Sequence, residues 1–393
     1  MKLHRLVLPA IAVLVAAITA AQAQDQPGVT NDAIRIGLVA PLSGPLVGFG
    51  YDPLYASKMW FDKVNADGGI YGRKIKLIID DSKCEIPVML ALVKRLVSVD
   101  KVFLIEGGSC SPVAQAAQEY VTREKVPMIT LNAGADAGAF PPTRYFFAGP
   151  VGTQLSSGGA VMQFAIKSLG AKSVAILVHD DDSGTANLAA AKATAEKAGI
   201  AVKSVERVSK KAVDLTAAML NVRAANPDAI VAILYPAQTA LSVQKYGEFA
   251  MKQPVITGVQ SVTNPAEFAE NVGNDAALAN FYFGTPLAPD AEIAKWTELY
   301  RAAYPDRKPG PWVAFGIPSA MAITIALKKA GPELTREKFI DAMDTLEFES
   351  GALAGPSRYA PDRRDGFRSM AFVKFDGKKL TRQEGVFTWA GER

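Results

Sequence analysis

Short apolar runs alternate with longer segments of helical periodicity along the first half of this chain. The segments 34–39, 74–79 and 102–105 have the length and composition of buried strands. Between the second and third of them, the apolar residues of segment 86–97 recur at helical spacing. This order of strand and helix predicts βα units that build a parallel sheet with helices on both faces.

The same rhythm restarts after Pro150, and this predicts a second α/β lobe. No low-complexity linker separates the two halves, so the boundary near Ala148–Pro150 is expected to be a short crossing. The strands of the second lobe are expected at 173–178, 201–205, 229–234 and 254–257. Further helices are expected at 293–304, 312–330 and 335–344. The tail 370–389 is predicted to be β-like, with a hairpin turn at Asp376–Gly377.

The first 23 residues have the three-part pattern of a secretory signal peptide. Lys2 and Arg5 precede the apolar segment 6–20, and Ala21-Gln22-Ala23 is a small-x-small cleavage signal. A membrane anchor is the alternative, but an apolar run of about fifteen residues is shorter than the ~20 that a spanning helix needs. We therefore predict export with cleavage near Ala23, and we expect no later segment to be long and apolar enough to span a membrane.

Composition and charge exclude several classes of protein. The chain has 393 residues, of which 49% are hydrophobic and 21% charged, so it is neither disordered nor collagen-like. Its 43 basic and 39 acidic residues give a net charge of +4, which is too small to predict a nucleic-acid partner. With two cysteines and two histidines in the chain, we expect no metal and no cofactor.

The two cysteines, Cys84 and Cys110, both follow the signal peptide and so reach a compartment that permits disulfides. A bond between them would stabilise the fold by about 3–4 kcal/mol on the chain-entropy model. Two free buried thiols are the alternative, and the spacing alone leaves both open.

Motifs of nucleotide-binding and hydrolytic enzymes are absent, including the P-loop, GxGxxG, GxSxG, HExxH and CxxC patterns. His179 precedes Asp180–Asp182, and a histidine beside carboxylates suits a general base or a metal ligand. The favoured interpretation is a strand cap that faces solvent. An exported hydrolase that uses Asp180–Asp182 or Ser111 stays as a distant alternative.

Polar turns follow several of the predicted strands. Ligands of open α/β sheets bind outside the carboxyl ends of the strands, so these turns are candidate binding segments. Ser111 opens the predicted helix 113–124, where its hydroxyl and the first free backbone N–H groups would hold an anion. The alternative is that Ser111 only caps this helix. The turns are Ser43–Pro45, Ser109–Ser111, Asn132–Gly134, Tyr235–Gln238 and Gln260–Ser261.

Four motifs together resemble the type I periplasmic solute-binding proteins of the branched-chain amino acid ABC-transporter family, whose archetype is the leucine/isoleucine/valine-binding protein. They are IRIGLVAPLSGP from Ile34, the Asn-x-x-Gly-Gly-Ile-x-Gly run from Asn65, the Asp80-Asp81 pair, and GGSCS from Gly107. The resemblance runs from about Ile34 to Trp389. It implies a monomer that binds a small-molecule carboxylate in the periplasm and delivers it to an inner-membrane ABC permease.

The resemblance also implies two doubly wound α/β lobes, joined by three crossings, with a ligand cleft between them. The first lobe would hold residues 31–148 and 285–355, and the second lobe residues 149–284 and 356–391. The crossings would fall near Ala148-Gly149, Gly284-Thr285 and Gly355-Pro356. A disulfide between Cys84 and Cys110 matches the family as well.

Carried over residue by residue, the resemblance assigns the ligand carboxylate to Ser111. The turn Asn132, Ala133 and Gly134 would also contact the ligand, with Gly134 where amino-acid binders usually carry a threonine. In the second lobe, the turn from Tyr235 to Gln238 is the matching binding segment.

Two departures from the family bear on the ligand. Gln260 stands where amino-acid binders carry an acid that faces the ligand ammonium, and a tyrosine of the archetype is replaced near Ser183. Because a neutral amide does not compensate a buried ammonium, these changes favour an aromatic carboxylate, with Phe49, Tyr235 and Phe283 as apolar walls. A role of Gln260 in bonding only the backbone is the alternative. A hydrophobic amino acid, another polar solute and a periplasmic sensor domain are the remaining alternatives.

Overall fold

Two β-sheets organise the chain in the computed structural model, which describes residues 26–44, 46–134, 136–149, 152–262, 265–273, 275–310, 312–376 and 379–391. Within these residues the first sheet has five strands, in the spatial order β2-β1-β3-β4-β5, and its pairings are parallel. Its strands are β1 (Ala33–Ala40), β2 (Lys74–Asp81), β3 (Leu104–Gly107), β4 (Met128–Ile129) and β5 (Phe146–Phe147).

The second sheet combines a parallel part with an antiparallel edge. The strands β6 (Ser173–His179), β7 (Ala201–Val208), β8 (Ala229–Ile233), β9 (Val255–Thr257) and β10 (Phe281–Thr285) pair in parallel. After a small hairpin of β11 (Glu347–Phe348) and β12 (Ser357–Arg358), the chain adds β13 (Ser369–Phe375), β14 (Leu380–Arg382) and β15 (Phe387–Thr388). These last strands run antiparallel, and the spatial order is β14-β13-β10-β9-β8-β6-β7, with β15 on β13.

Helices cover the sheets, and they pack in two sets. The first set packs around the first sheet: α1 (Val47–Ala66), α2 (Ile86–Ser98), α3 (Ser111–Arg123) and α4 (Asp136–Ala139). The second set packs around the second sheet: α5 (Gln154–Lys167), α6 (Asp182–Lys197), α7 (Thr216–Ala225), α8 (Pro236–Glu248), α9 (Pro265–Val272) and α10 (Asp275–Leu278). The chain then returns to the first set with α11 (Asp290–Ala303), α12 (Val313–Ala330) and α13 (Arg336–Met343), which join α1.

The chain therefore passes between the lobes after β5, after β10 and before β13. The third passage follows Arg364, because Tyr359 packs in the core of the first lobe and the buried Arg364 binds Asp344 and the carbonyl of Thr143 there. It lies later in the chain than the predicted Gly355-Pro356. The predicted fold class, two doubly wound α/β lobes, is confirmed.

Helix α12 is long and apolar enough to cross a membrane by length and composition, contrary to the sequence expectation. It is 72% buried in the fold, however. At its start, a Cβ on Gly316 would lie 1.9 Å from the carbonyl oxygen of Pro53 in α1, so the two helices are in backbone contact. Its apolar residues thus form part of the core of the first lobe.

Several predictions include residues outside the described part of the chain. These are the signal peptide at 1–23, the turn residues Pro45 and Gly377, and Pro150 at the predicted lobe boundary. The strands on either side of Gly377, β13 and β14, do pair antiparallel.

Candidate functional site

The carboxyl ends of the parallel strands set the position of the candidate site. In the first lobe, Val39 of β1 pairs with Gly107 of β3, and Ile105 of β3 pairs with Met128 of β4. The turns that follow β1, β3 and β4 therefore emerge at one edge of the sheet. In the second lobe, β6, β8 and β9 are neighbours in the same way.

A disulfide holds the turn after β3. Cys84 and Cys110 are bonded, with their Cα atoms 5.9 Å apart, so the predicted pairing is confirmed. Cys84 lies in the loop that leads from β2 to α2, and Cys110 is the N-cap residue of α3. The bond thus ties the start of α3 to the neighbouring βα loop.

Ser111 is the first residue of α3, and it is not the helix cap. The alternative interpretation, that Ser111 only caps this helix, is therefore wrong. The N–H groups of Val113 and Ala114 both donate to the carbonyl of Cys110, at 3.1 and 3.0 Å. The N–H and the hydroxyl of Ser111, by contrast, have no partner within the described part of the chain. A helix N-terminus with such free donors attracts an anion.

The turn after β4 comes next to this helix start. Ser111 and Ala133 line one small cavity of about 10 Å³, which has room for a single water at most. Asn132 donates from its Nδ2 to the carbonyl oxygen of Phe49, at 2.9 Å, and this bond fixes the orientation of the amide. Its Oδ1 is buried and has no partner among the described residues, so an acceptor is available there.

Phe49 lies in the first turn of α1, which begins at Val47. Gly48, Gly50 and Pro53 are poor helix formers and hide this start from the sequence pattern, whereas packing against α12 stabilises it. The Phe49 side chain is 42% exposed.

Trp312 also lies at this site, although the sequence pattern predicts it only as part of a helix. Its ring lies 5.0 Å from the ring of Phe49 and 5.2 Å from the ring of Phe315, measured between centroids. Phe49 and Trp312 therefore present one aromatic surface. The available sequence signal is a tryptophan placed directly after the Pro-Gly-Pro sequence at 309–311.

In the second lobe, His179 is 2% exposed, so the prediction that it faces solvent is wrong. Its Nε2 accepts the N–H of Tyr235 at 2.6 Å, and its Nδ1 lies 3.0 Å from the carbonyl oxygen of Val208. The two rings stack, with centroids 4.1 Å apart. Burial lowers the pKa of His179, which favours a neutral ring with its proton on Nδ1. His179 thus positions Tyr235.

Asp181 lies beside the same tyrosine. Its Oδ1 accepts the N–H of Gly184 at 2.9 Å and caps α6, while its Oδ2 accepts the hydroxyl of Tyr235 at 3.2 Å. Burial, followed by the charge of Asp181, raises the pKa of Tyr235, so the phenol stays protonated. The structure therefore places one carboxylate next to the predicted Tyr235 segment.

Gln260 reaches the first turn of α5. Its Oε1 accepts the hydroxyl of Ser157 at 3.3 Å, so its bonding is not limited to the backbone. Its Nε2 has no partner within the described residues. A Cβ on Gly258 would lie 2.8 Å from the Ser157 hydroxyl and 3.0 Å from Gln260 Oε1, so only glycine leaves room for this pair.

Two predicted residues are occupied by contacts within the protein itself. Phe283 is fully buried between β10 and the covering helices, with its ring 5.9 Å from that of Phe268. Alternation along β10 places Phe281 on this same buried face. Because Phe283 is buried there, its prediction as a cleft wall is wrong. Gln238 is 5% exposed, and its Nε2 donates to the carbonyls of Lys210 and Ala212. Its amide nitrogen holds a loop of the protein itself and does not face a ligand.

Comparison with known proteins agrees with this architecture. The sequence profile of the family described as "Periplasmic binding protein" matches residues 33–379. The chain belongs to the periplasmic binding protein family. Leu/Ile/Val-binding protein homolog 7 of Brucella abortus is 24% identical to this periplasmic binding protein over 368 residues, or 88% of this chain and 90% of that protein.

Two solved structures carry different ligands. A solute-binding protein of an ABC transporter from R. palustris, in complex with 4-hydroxybenzoate, has a TM-score of 0.70 and 22% identity, and covers 92% of this chain and 98% of its own. The branched-chain amino acid transporter substrate-binding protein LivJ from Streptococcus pneumoniae, in complex with isoleucine, has a TM-score of 0.67 and 21% identity, over 91% and 99%. The ligands of these two structures differ, so similarity alone does not identify the ligand of this periplasmic binding protein.

Proposed function

We propose that this protein captures a small aromatic carboxylate between its two lobes and delivers it, as a monomer, to an inner-membrane ABC permease. The observation that carries this proposal is the start of α3, where the N–H and the hydroxyl of Ser111 have no partner within the described part of the chain. A carboxylate there would receive two hydrogen bonds and the favourable field of the helix N-terminus.

The residues around this anchor favour an aromatic body for the ligand. The surface of Phe49 and Trp312 offers an apolar wall on which a planar ring packs. Asn132 Oδ1 supplies a hydrogen-bond acceptor that suits a hydroxyl group on such a ring. Gln260 is neutral, and an uncompensated buried ammonium is unfavourable by several kcal/mol. A hydroxybenzoate-like acid satisfies all three environments.

A hydrophobic amino acid is the second candidate, and Asp181 is the observation that favours it. Its carboxylate lies beside Tyr235, in the segment that follows β6. Both of its oxygens already accept hydrogen bonds from Gly184 and Tyr235, however. An ammonium would have to share these oxygens, so we rank the amino acid below the aromatic acid.

A thermal-shift screen of the mature protein tests the ligand class, using benzoate, 4-hydroxybenzoate, leucine and phenylalanine. We expect the aromatic acids to raise the melting temperature and the amino acids to leave it unchanged, because ligand at about 100 times its dissociation constant stabilises by about 2.7 kcal/mol.

Gln260→Glu should weaken the binding of aromatic acids through charge repulsion, whereas Gln244→Glu on the exposed face of α8 should not. A response to leucine alone would contradict the proposal, and Asp181→Asn would then identify the ammonium partner. Recovery of the bound acid unchanged after long incubation would separate a binding protein from a hydrolase.

Ser111→Ala tests the anchor itself. Removal of the hydroxyl deletes a charge-assisted hydrogen bond of about 1.5–3 kcal/mol, so the affinity for the acid should fall by about ten-fold or more. Isothermal titration measures this change, with Ser98→Ala at the exposed end of α2 as the matched control. Equal affinity of the Ser111→Ala variant and the wild type would place the carboxylate elsewhere.

A further inference from the structure

A cavity of about 360 Å³ lies at the junction of the two lobes, and none of its lining residues belongs to the site described above. Its volume falls within the range of about 300–1,000 Å³ that is typical of small-molecule sites. Three arginines and two aromatic rings dominate its lining. The residues that bear on its chemistry are Phe140, Arg358, Asp362, Arg363, Arg368 and Trp389.

The three guanidinium groups are unequally neutralised. Arg368 is paired with Asp365 by two hydrogen bonds, of 2.6 and 2.7 Å. Arg358 comes no closer than 3.9 Å to the carboxylate of Glu347, and both side chains are exposed. Arg363 has no carboxylate within 4.0 Å among the described residues, although Asp362 is its neighbour in the chain. The cavity therefore has an excess of positive charge.

Arg363 is the least compensated of the three. Its Nε makes one long hydrogen bond, of 3.4 Å, to the backbone carbonyl of Asp365. Burial, and then the neighbouring charge of Arg368, lower the pKa of Arg363. Both effects mean that an added negative charge would stabilise its guanidinium.

The remaining walls are flat and fixed. The guanidinium of Arg368 lies 5.0 Å from the centroid of the Trp389 ring and 5.8 Å from that of Phe140. These contacts, together with the pairing to Asp365, hold Arg368 in one place. The cavity is thus a preorganised space between cationic and aromatic surfaces.

We propose that this cavity binds a small oxyanion, a phosphate or an organic polycarboxylate, with Arg363 as its principal contact. The segment with Arg358 and Arg363 precedes the third passage between the lobes, whereas Trp389–Gly391 follows β15 on the second sheet. An anion in the cavity contacts both lobes at once. Its occupancy therefore depends on the angle between them, and its binding is coupled to closure of the protein.

Titration of inorganic phosphate and of citrate into the ligand-free protein at constant ionic strength tests this site, and the two probes distinguish the two sources of the oxyanion. We expect saturable binding of at least one of them, weakened by about ten-fold in Arg363→Gln. Arg358→Gln, a change at a more exposed side chain, should weaken the same anion and guards against misfolding of the first variant. Arg301→Gln, an exposed arginine on α11, is the matched control and should bind as the wild type does.

Three outcomes overturn the proposal. The first is that neither anion binds saturably, and the second is that both anions bind the Arg363→Gln and Arg358→Gln variants as tightly as the wild type. The third is that binding is lost in Ser111→Ala and kept in Arg363→Gln, which would place the anion at the start of α3. None of these measurements uses an aromatic acid, so failure here leaves the proposed function intact.

Discussion

Loss of the Cys84–Cys110 disulfide will lower both the stability of the protein and its affinity for the ligand. The bond joins residues 26 positions apart, and its removal is expected to destabilise the fold by about 3–4 kcal/mol on the chain-entropy model. The affinity should fall as well, because Cys110 immediately precedes Ser111 and the bond holds the start of α3 against the loop after β2.

Thermal unfolding with and without reductant measures the first effect, and ligand titration under the same two conditions measures the second. The double variant Cys84→Ala and Cys110→Ala is the control, since its melting temperature should match that of the reduced wild type and should not respond to reductant. A melting temperature of the wild type that is indifferent to reductant would contradict the prediction. A lower melting temperature with unchanged affinity would mean that Ser111 is positioned without the bond.

Replacement of Glu106 by glutamine will stabilise the protein above pH 7. Glu106 lies on β3 and is fully buried, where it accepts the hydroxyls of Ser57 in α1 and Ser319 in α12. Burial raises the pKa of this carboxyl from 4.5 to about 7, against the opposing effect of the two serine hydroxyls. Tyr359, which interacts with it electrostatically, is itself buried and stays protonated because burial raises its pKa.

Because the fold raises the pKa of Glu106, ionisation of this carboxyl destabilises the folded protein. The unfolded chain releases this proton near pH 4.5 and the folded chain near pH 7, so the fold loses stability as the pH rises between these values. The loss amounts to roughly 3 kcal/mol and is complete above pH 7. Glutamine is neutral at every pH and keeps both a donor and an acceptor for the two serines.

Urea unfolding of the wild type and of Glu106→Gln at several pH values from 4 to 9 tests this expectation. The difference in unfolding free energy between them should be small near pH 4 and should grow to roughly 3 kcal/mol in favour of glutamine above pH 7. Glu119→Gln on the exposed face of α3 is the matched control and should run parallel to the wild type. A constant difference across the pH range would show that Glu106 ionises normally in the fold.

Local sequence patterns determined the two α/β lobes and the strand-end turns of this protein. Apolar runs such as Ile34–Val39 identify buried strands, because burial on both faces of a parallel sheet requires nearly every residue to be apolar. The turn residues Ser109–Ser111 were visible for the same reason, since small polar residues interrupt that pattern. The pairing of Cys84 with Cys110 needed the family resemblance to decide between a bond and two free thiols.

Tertiary contacts decided what local patterns leave open. Trp312 joins Phe49 because α12 packs on α1, and these residues lie far apart in the sequence. His179 is buried by its stacking on Tyr235, although three aspartates follow it in the chain.

The same division holds for the residues that the sequence placed wrongly. Phe283 is predicted as a cleft wall but is a core residue, because the packing of α8 to α10 determines which face of β10 is covered. The sequence alone determined which segments are strands, helices and polar turns, since these depend on the spacing of neighbouring residues. The tertiary structure decided which side chains face each other across those turns, because that depends on contacts between distant segments.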